Sequence, residues 1–322
     1  MSFSPRSILP VAAAIMAAVF SAEAQPWPQH PLRIVVGFQA GGTGDVIARL
    51  VGNRLAPLIG TPVVIENKPG AAGVTAAQMV RTTDDDHTLL AVSETYVVTP
   101  LINRRASFNL GRDFKLIGVA AESAQVLVAT KDAPFRTFKE FARFARATST
   151  SLNYATSGFG HPQHLIGEYL AAKLPAKLAH VPARGGAAAV NDLLAGTIKL
   201  AILGLGPTFQ LIQDGRLIPL AVSTSTRVPA LPNVPTLIEL GFDGFNAPQW
   251  LGFAAPRTLA DDRVNRISEQ LAKTVVDATM RQRLNGLGFV PHFLGASAMA
   301  ERIAEEENRW QSIVAAAKLQ SD

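Results

Sequence analysis

A chain of 322 residues, 48% hydrophobic and 17% charged, is too apolar to stay disordered and long enough for two cores. Its formal charge of +5 comes from basic residues scattered without aromatic interleaving, which argues against nucleic acid and for small anions. Cysteine is absent, so disulfides, thiolate metal sites and a lipid-modified N-terminal cysteine are excluded.

At the N-terminus Arg6 precedes an apolar run over 8–20, and Ala22 and Ala24 flank Glu23. This predicts a signal peptide over 1–24 cleaved after Ala24, because the run is shorter than the roughly 20 residues of a membrane-spanning helix. A soluble mature chain in a Gram-negative periplasm is expected. Beyond it, β-type runs alternate with helical periodicity, the pattern of an α/β fold. A strand is expected over 32–38 and a helix over 46–58, with apolar residues at 46, 47, 50, 51, 55 and 58 on one face. Strand 62–66, helix 74–81 and strand 88–92 follow.

A second series runs through strand 125–130, helix 138–147, strand 153–156, helix 163–173, strand 177–182 and helix 187–194. Strand 199–203, helix 208–213 and strand 217–222 complete it. A proline-containing connector over 228–248 leads to strand 250–254 and two amphipathic helices, 262–284 and 297–318. These helices are expected to pack back on the first unit. The organisation is then a discontinuous lobe of 25–123 and 248–322, and a second lobe of 124–247, each a mainly parallel sheet flanked by helices.

Ligands of parallel sheets bind beyond the strands' carboxyl ends, where loops open helix N-termini. The first such loop carries Gly41, Gly42, Thr43, Gly44 and Asp45. It can admit an anion against backbone N–H groups, or it can be a tight turn with Asp45 as a cap. It lacks the third glycine of a dinucleotide fingerprint and the Gly-Lys-Ser/Thr of a P-loop. A second loop offers the hydroxyls of Ser93 and Thr95. A third, with Ser157, Gly158, Gly160 and His161 ahead of Pro162, repeats the anion-site design in the other half. Arg184, before Gly185 and Gly186, can set a guanidinium against a carboxylate, and Gly204 ends a further strand without a charge. His161 and His164 have no acid or thiol close by in sequence, and Asp84, Asp85 and Asp86 read as a solvated turn, so no metal site is expected. No cofactor is expected, and no nucleophile–base pair for an enzyme emerges.

The segments Pro31-Leu32-Arg33-Ile34-Val35-Val36 with Gly41 to Asp45, Val63 to Gly73, Leu152 to Thr156 and Pro229 to Thr236, in this order, resemble the receptors of tripartite tricarboxylate transporters, the Bug-type solute receptors. The resemblance runs from about Trp27 to the C-terminus. It implies a two-lobed type II periplasmic-binding fold whose facing glycine-rich loops, here 41–45 and 157–161, hold a ligand carboxylate. The chain departs from the family at His161, where a small hydroxyl residue is usual, at Ala183 for an aromatic, and at Gly204 for an acid.

The expected function is therefore capture of a small carboxylate by a monomer that delivers it to membrane transporter subunits. The alternative is a periplasmic sensing subunit that signals occupancy to a membrane kinase. His161 either caps and packs locally or donates to the ligand. In the second case a bound anion favours its protonation, and affinity is expected to strengthen as pH falls through about 6–7.

Overall fold

The computed structural model describes residues 27–317 and 319; the predicted signal peptide and residue 318 lie outside the described residues. The chain first lays down β1 (Leu32–Val36), α1 (Thr43–Ile59), β2 (Val63–Asn67), a 3₁₀ turn (Ala71–Gly73), α2 (Val74–Arg81) and β3 (Thr88–Ser93). β1 and β3 are almost wholly buried, as apolar runs in a sheet covered on both faces should be. Next come α3 (Thr95–Ile102), a single turn α4 (Leu110–Asp113) and the long strand β4 (Phe114–Ser123). With β10 (Gln249–Pro256) and β11 (Val290–Gly295) these strands form one sheet in the order β11-β4-β10-β3-β1-β2.

The second sheet has the order β7-β6-β8-β5-β9. It is built from β5 (Gln125–Thr130), α5 (Phe138–Ala147), β6 (Leu152–Thr156), α6 (Pro162–Lys173), β7 (Leu178–Pro182), α7 (Gly186–Leu194), β8 (Leu200–Gly204), α8 (Leu205–Gln213) and β9 (Leu217–Val222). α5 starts with a reciprocal cap: Thr137 Oγ1 accepts from the Glu140 N–H, and Glu140 Oε2 accepts from the Thr137 N–H.

Most strands of each sheet run the same way, as expected, with β10 and β11 reversed in the first sheet and β5 reversed in the second. β1 is parallel to β2 and β3, whereas β10 is antiparallel to β3 and β4; β6 is parallel to β7 and β8, whereas β5 is antiparallel to β8 and β9. The reason is the chain path. β5 and β10 start at the junction between the sheets, where the parallel strands end, so they must run the other way.

The path crosses from one sheet to the other at Ala124, between β4 and β5, and returns before β10. Ser223 stitches the crossings. Its Oγ accepts from the Gln125 N–H at 3.0 Å and donates to the Ala247 carbonyl at 2.7 Å.

The expected helix over 262–284 is two helices, α9 (Asp261–Val276) and α10 (Ala278–Gly286). Asp277 separates them in an extended conformation and caps the second by accepting from the Met280 N–H. The last helix, α11 (Ala296–Ala317), packs on α3 and β4 as expected, but it also reaches α6 of the second lobe. Its 22 residues make it about 33 Å long, enough to span the junction. The largest apolar cluster accordingly runs through both lobes, joining Tyr96 and Phe114 to Tyr154 and Leu165, with Trp250 and Trp310 fully buried.

Candidate ligand-binding cleft

Strand order fixes where a cleft can open. In the first sheet β1 lies between β2 and β3, and in the second β6 lies between β7 and β8, so each sheet has a switch point where loops diverge to opposite faces. Loops from both switch points line one cleft of about 440 Å³. The first lobe brings the loop into α1, the Gly70-Ala71-Ala72 turn and the start of α3; the second brings the loops into α6, α7 and α8. First-turn N–H groups have no intrahelical partner. The first turns at Thr43 and Gly44 on one side and at Gly186 and Ala187 on the other line the cleft, and helix N-termini favour negative charge.

Of the residues expected at the site, Gly42, Thr43, Ser93, Thr95, Ser157, Gly158, His161, Arg184 and Gly204 line this cleft. Gly41, Asp45 and Gly160 do not, which corrects the expectation for those three. Asp45 turns inward: it accepts from the Gly41 N–H at 2.9 Å, pairs with Arg49 at 2.8 Å and accepts from Asn67 Nδ2 at 2.9 Å. Burial alone would raise its pKa, but these partners together hold it below the usual carboxylate range. Asn67 also donates to the Phe38 carbonyl, so the carboxylate clamps the loop instead of facing a ligand. Gly41 supplies a left-handed turn (φ +78°) and has its N–H committed to Asp45. Gly160 is also left-handed (φ +80°), and any side chain there would meet Ile102 at 2.8 Å.

His161 is the N-cap of α6 with no side-chain capping bond, and its ring lies 5.9 Å from that of Phe38 across the cleft. Burial, and then repulsion from His164, push its pKa down to about 4. Without a bound anion the imidazole is neutral near pH 6–7. His164 does not face the cleft as a ligand. It stacks on His180 at 4.0 Å and meets the Phe159 ring at a tilt at 4.9 Å, while the Thr156 hydroxyl and His180 Nε2 lie 2.7 Å apart. These rings anchor the base of the third loop. Arg184 is exposed and has no acid partner among the described residues.

Several lining residues escaped sequence reasoning. Ala71 and Ala72 hold left-handed backbone (φ +47° and +52°), strain that alanine seldom carries, in a turn signalled only by its flanking glycines. Gln249 places its amide where a side chain at position 204 would lie. Glu94 lies between Ser93 and Thr95, yet it is 2% exposed. Its Oε2 accepts from the Trp250 N–H at 3.0 Å and its Oε1 from Gln125 Nε2 at 3.0 Å. Burial, with repulsion from Glu306, raises its pKa to about 8. Among the described residues Glu94 is the one acid lining the cleft, and burial keeps it and His161 uncharged at neutral pH, leaving Arg184 as the charged lining group.

A family model described as the tripartite tricarboxylate transporter family receptor matches residues 47–319. The UPF0065 protein in the tcbD-tcbE intergenic region of Pseudomonas sp. (strain P51) is 32% identical over 298 residues, 92% of this chain and 89% of that protein. Among solved structures, the periplasmic binding protein BugD superposes with a TM-score of 0.85 at 28% identity, covering 92% of this chain and 100% of its own. R. palustris Rpa4515 with adipate gives a TM-score of 0.86 at 28% identity, covering 91% and 99%.

Proposed function

The chain belongs to the tripartite tricarboxylate transporter receptor family, and from that premise we propose that it is a periplasmic solute-binding protein that closes on a small carboxylate and delivers it to a tripartite tricarboxylate-type membrane transporter. On this reading residues 1–24 direct export, cleavage follows Ala24, and the monomer hinges at the two crossings, with 25–123 and 248–322 as one lobe and 124–247 as the other. The observation that carries the reading is the convergence of helix N-termini from both lobes on a cleft whose acid is neutral. Each N-terminus contributes about 0.3–1 kcal/mol to an anion, more where partly buried, so several acting together give a few kcal/mol. A carboxylate held by Thr43 and Gly44 on one side and by Ser157 and Gly186 on the other would bridge the lobes and favour closure. The bound adipate of Rpa4515, a protein of closely similar fold, supports a carboxylate as the ligand class.

Mass spectrometry of the protein, isolated gently from its native host, tests the reading. One small carboxylic acid per chain is the expected result. A neutral sugar in its place would overturn it.

A further inference from the structure

Glu94 sits where the two crossings meet, and its hydrogen bonds continue into the second lobe. Gln125 Nε2 donates to Glu94 Oε1 at 3.0 Å, and Gln163 Nε2 donates to Gln125 Oε1 at 2.9 Å. Gln163 Oε1, the last atom of the series, is buried without a partner in a side chain that lines the cleft. All three residues are at most 4% exposed. A buried acceptor left unpaired is destabilising, which marks the end of the series as a place where polarity matters.

The arrangement with Gln125 Nε2 facing Glu94 suits an ionised carboxylate, which accepts at both oxygens. A protonated Glu94 is better served with its hydrogen on Oε1, because a hydroxyl oxygen is the poorer acceptor and Oε2 accepts from the Trp250 backbone N–H, which cannot turn away. The proton then sits on Oε1, facing Gln125. Gln125 must then rotate its amide to present its oxygen to Glu94, which turns its nitrogen toward Gln163. Gln163 rotates in turn, its oxygen accepts from Gln125, and its NH₂ replaces its oxygen as the free group.

We propose that Glu94, Gln125 and Gln163 form a proton-set amide relay across the lobe junction, in which neutral Glu94 presents a hydrogen-bond donor to the cleft and ionised Glu94 presents an acceptor. The donor state suits a carboxylate ligand and the acceptor state opposes it. Glu94 is thus a positioning residue for specificity, acting through two neutral side chains. The proton leaves to solvent through the cleft that Glu94 lines, and both amides turn about their Cγ–Cδ bonds.

The charged and titratable neighbours are few. From α11, Glu306 accepts from Trp250 Nε1 at 2.9 Å and disfavours the Glu94 charge, with Arg302 and Arg309 acting on Glu306. Across the cleft stand His161 and Arg184. The raised pKa of Glu94, about 8, places the switch above neutrality; His161, near 4, titrates far from it. The consequence for affinity rests on the carboxylate reading, but the relay itself can be tested without a ligand.

The experiment is a pH titration, from 6 to 10, of the side-chain amide NMR signals of the ligand-free protein labelled with ¹⁵N at glutamine. The signals of Gln125 and Gln163 are expected to move together with one midpoint near 8. Glu94→Gln carries a fixed donor in place of the carboxyl and should make both signals invariant. Gln125→Leu, which leaves Glu94 in place, should silence Gln163. Glu306→Gln should keep the transition and shift it to lower pH, because a repelling charge is gone. A Gln163 signal that is invariant in the wild type, that still moves in Gln125→Leu, or that stops moving in Glu306→Gln would overturn the relay. In calorimetric titrations with succinate, glutarate and citrate, affinity for any acid that binds should fall by up to about tenfold per pH unit above pH 8. If none of the three binds, the carboxylate reading suffers while the amide titration still decides the relay.

Discussion

Gly204 ends β8 at the cleft without a side chain, and the Gln249 amide occupies the space that a side chain would need. Gly204→Asp must therefore push Gln249 aside, which is cheap for the end of a flexible side chain, and it sets a negative charge among helix N-termini. Like charges facing each other across a binding site cost several kcal/mol. A loss of about 2 kcal/mol, roughly thirtyfold in carboxylate affinity, is expected by calorimetry, with the fold intact by circular dichroism; undiminished affinity would remove position 204 from the ligand's surroundings. Position 204 and the hydroxyl and glycine residues of the third loop were legible because each follows a strand and opens a helix, a local pattern. Glu94 was not. Its partners Gln125 and Trp250 lie 31 and 156 positions away, and its burial comes from packing that no local motif encodes.

At the scale of an element, α1 shows how a residue outside the cleft can govern binding. Asp45 ties Gly41, Arg49 and Asn67 together, and Asn67 in turn holds the Phe38 carbonyl. Asp45→Ala removes bonds to a charged acceptor, but Arg49 is half exposed and regains water. The stability loss should be about 2 kcal/mol, less than for a stranded buried charge. Because the loop loses its clamp, carboxylate affinity should fall as well; urea denaturation and calorimetry on one preparation read both effects. Unchanged affinity alongside the stability loss would show that the loop keeps its shape without Asp45. The elements themselves were legible where periodicity was plain, as in α1, β5 and α5. α3 was missed because Thr95, Val97, Val98 and Thr99 are β-branched and Pro100 follows, while the helix is buried nearly all round and shows no polar face. β11 was missed because it is an edge strand with Pro291 near its start and an irregular register against β4.

Over the whole molecule, the buried titratable groups pull stability in opposite directions. Glu94 and Glu306 keep their protons to about pH 8 and 7 when folded but would lose them near 4.5 when unfolded. Between those limits the folded chain binds more protons, so their contribution declines as pH rises. His161, His164 and His180 are held neutral down to about pH 4, 4 and 3, whereas the unfolded chain charges them near 6.5. Over that window the unfolded chain binds more protons, so stability rises with pH. Three histidines outweigh two glutamates below about 6.5, and only the glutamates act above it. The melting temperature should peak near pH 6.5 and decline toward pH 8, and Glu94→Gln should flatten the decline. A melting temperature still rising between pH 6.5 and 8 would contradict the neutral state of these acids.

The two-lobed architecture was legible from the α/β alternation and the connector over 228–248. The span of α11 across both lobes was not, because helix periodicity records that a face is buried and not which surface covers it. The central question for this protein is whether the cleft takes a carboxylate. The decisive measurement is the thermal unfolding of the purified chain against a panel of mono-, di- and tricarboxylates, with neutral sugars alongside. A matching acid at a hundredfold excess over its dissociation constant should stabilise the fold by about 2.7 kcal/mol and raise the melting temperature by several degrees, while sugars leave it unmoved. A shift with a sugar and none with any acid would contradict the account.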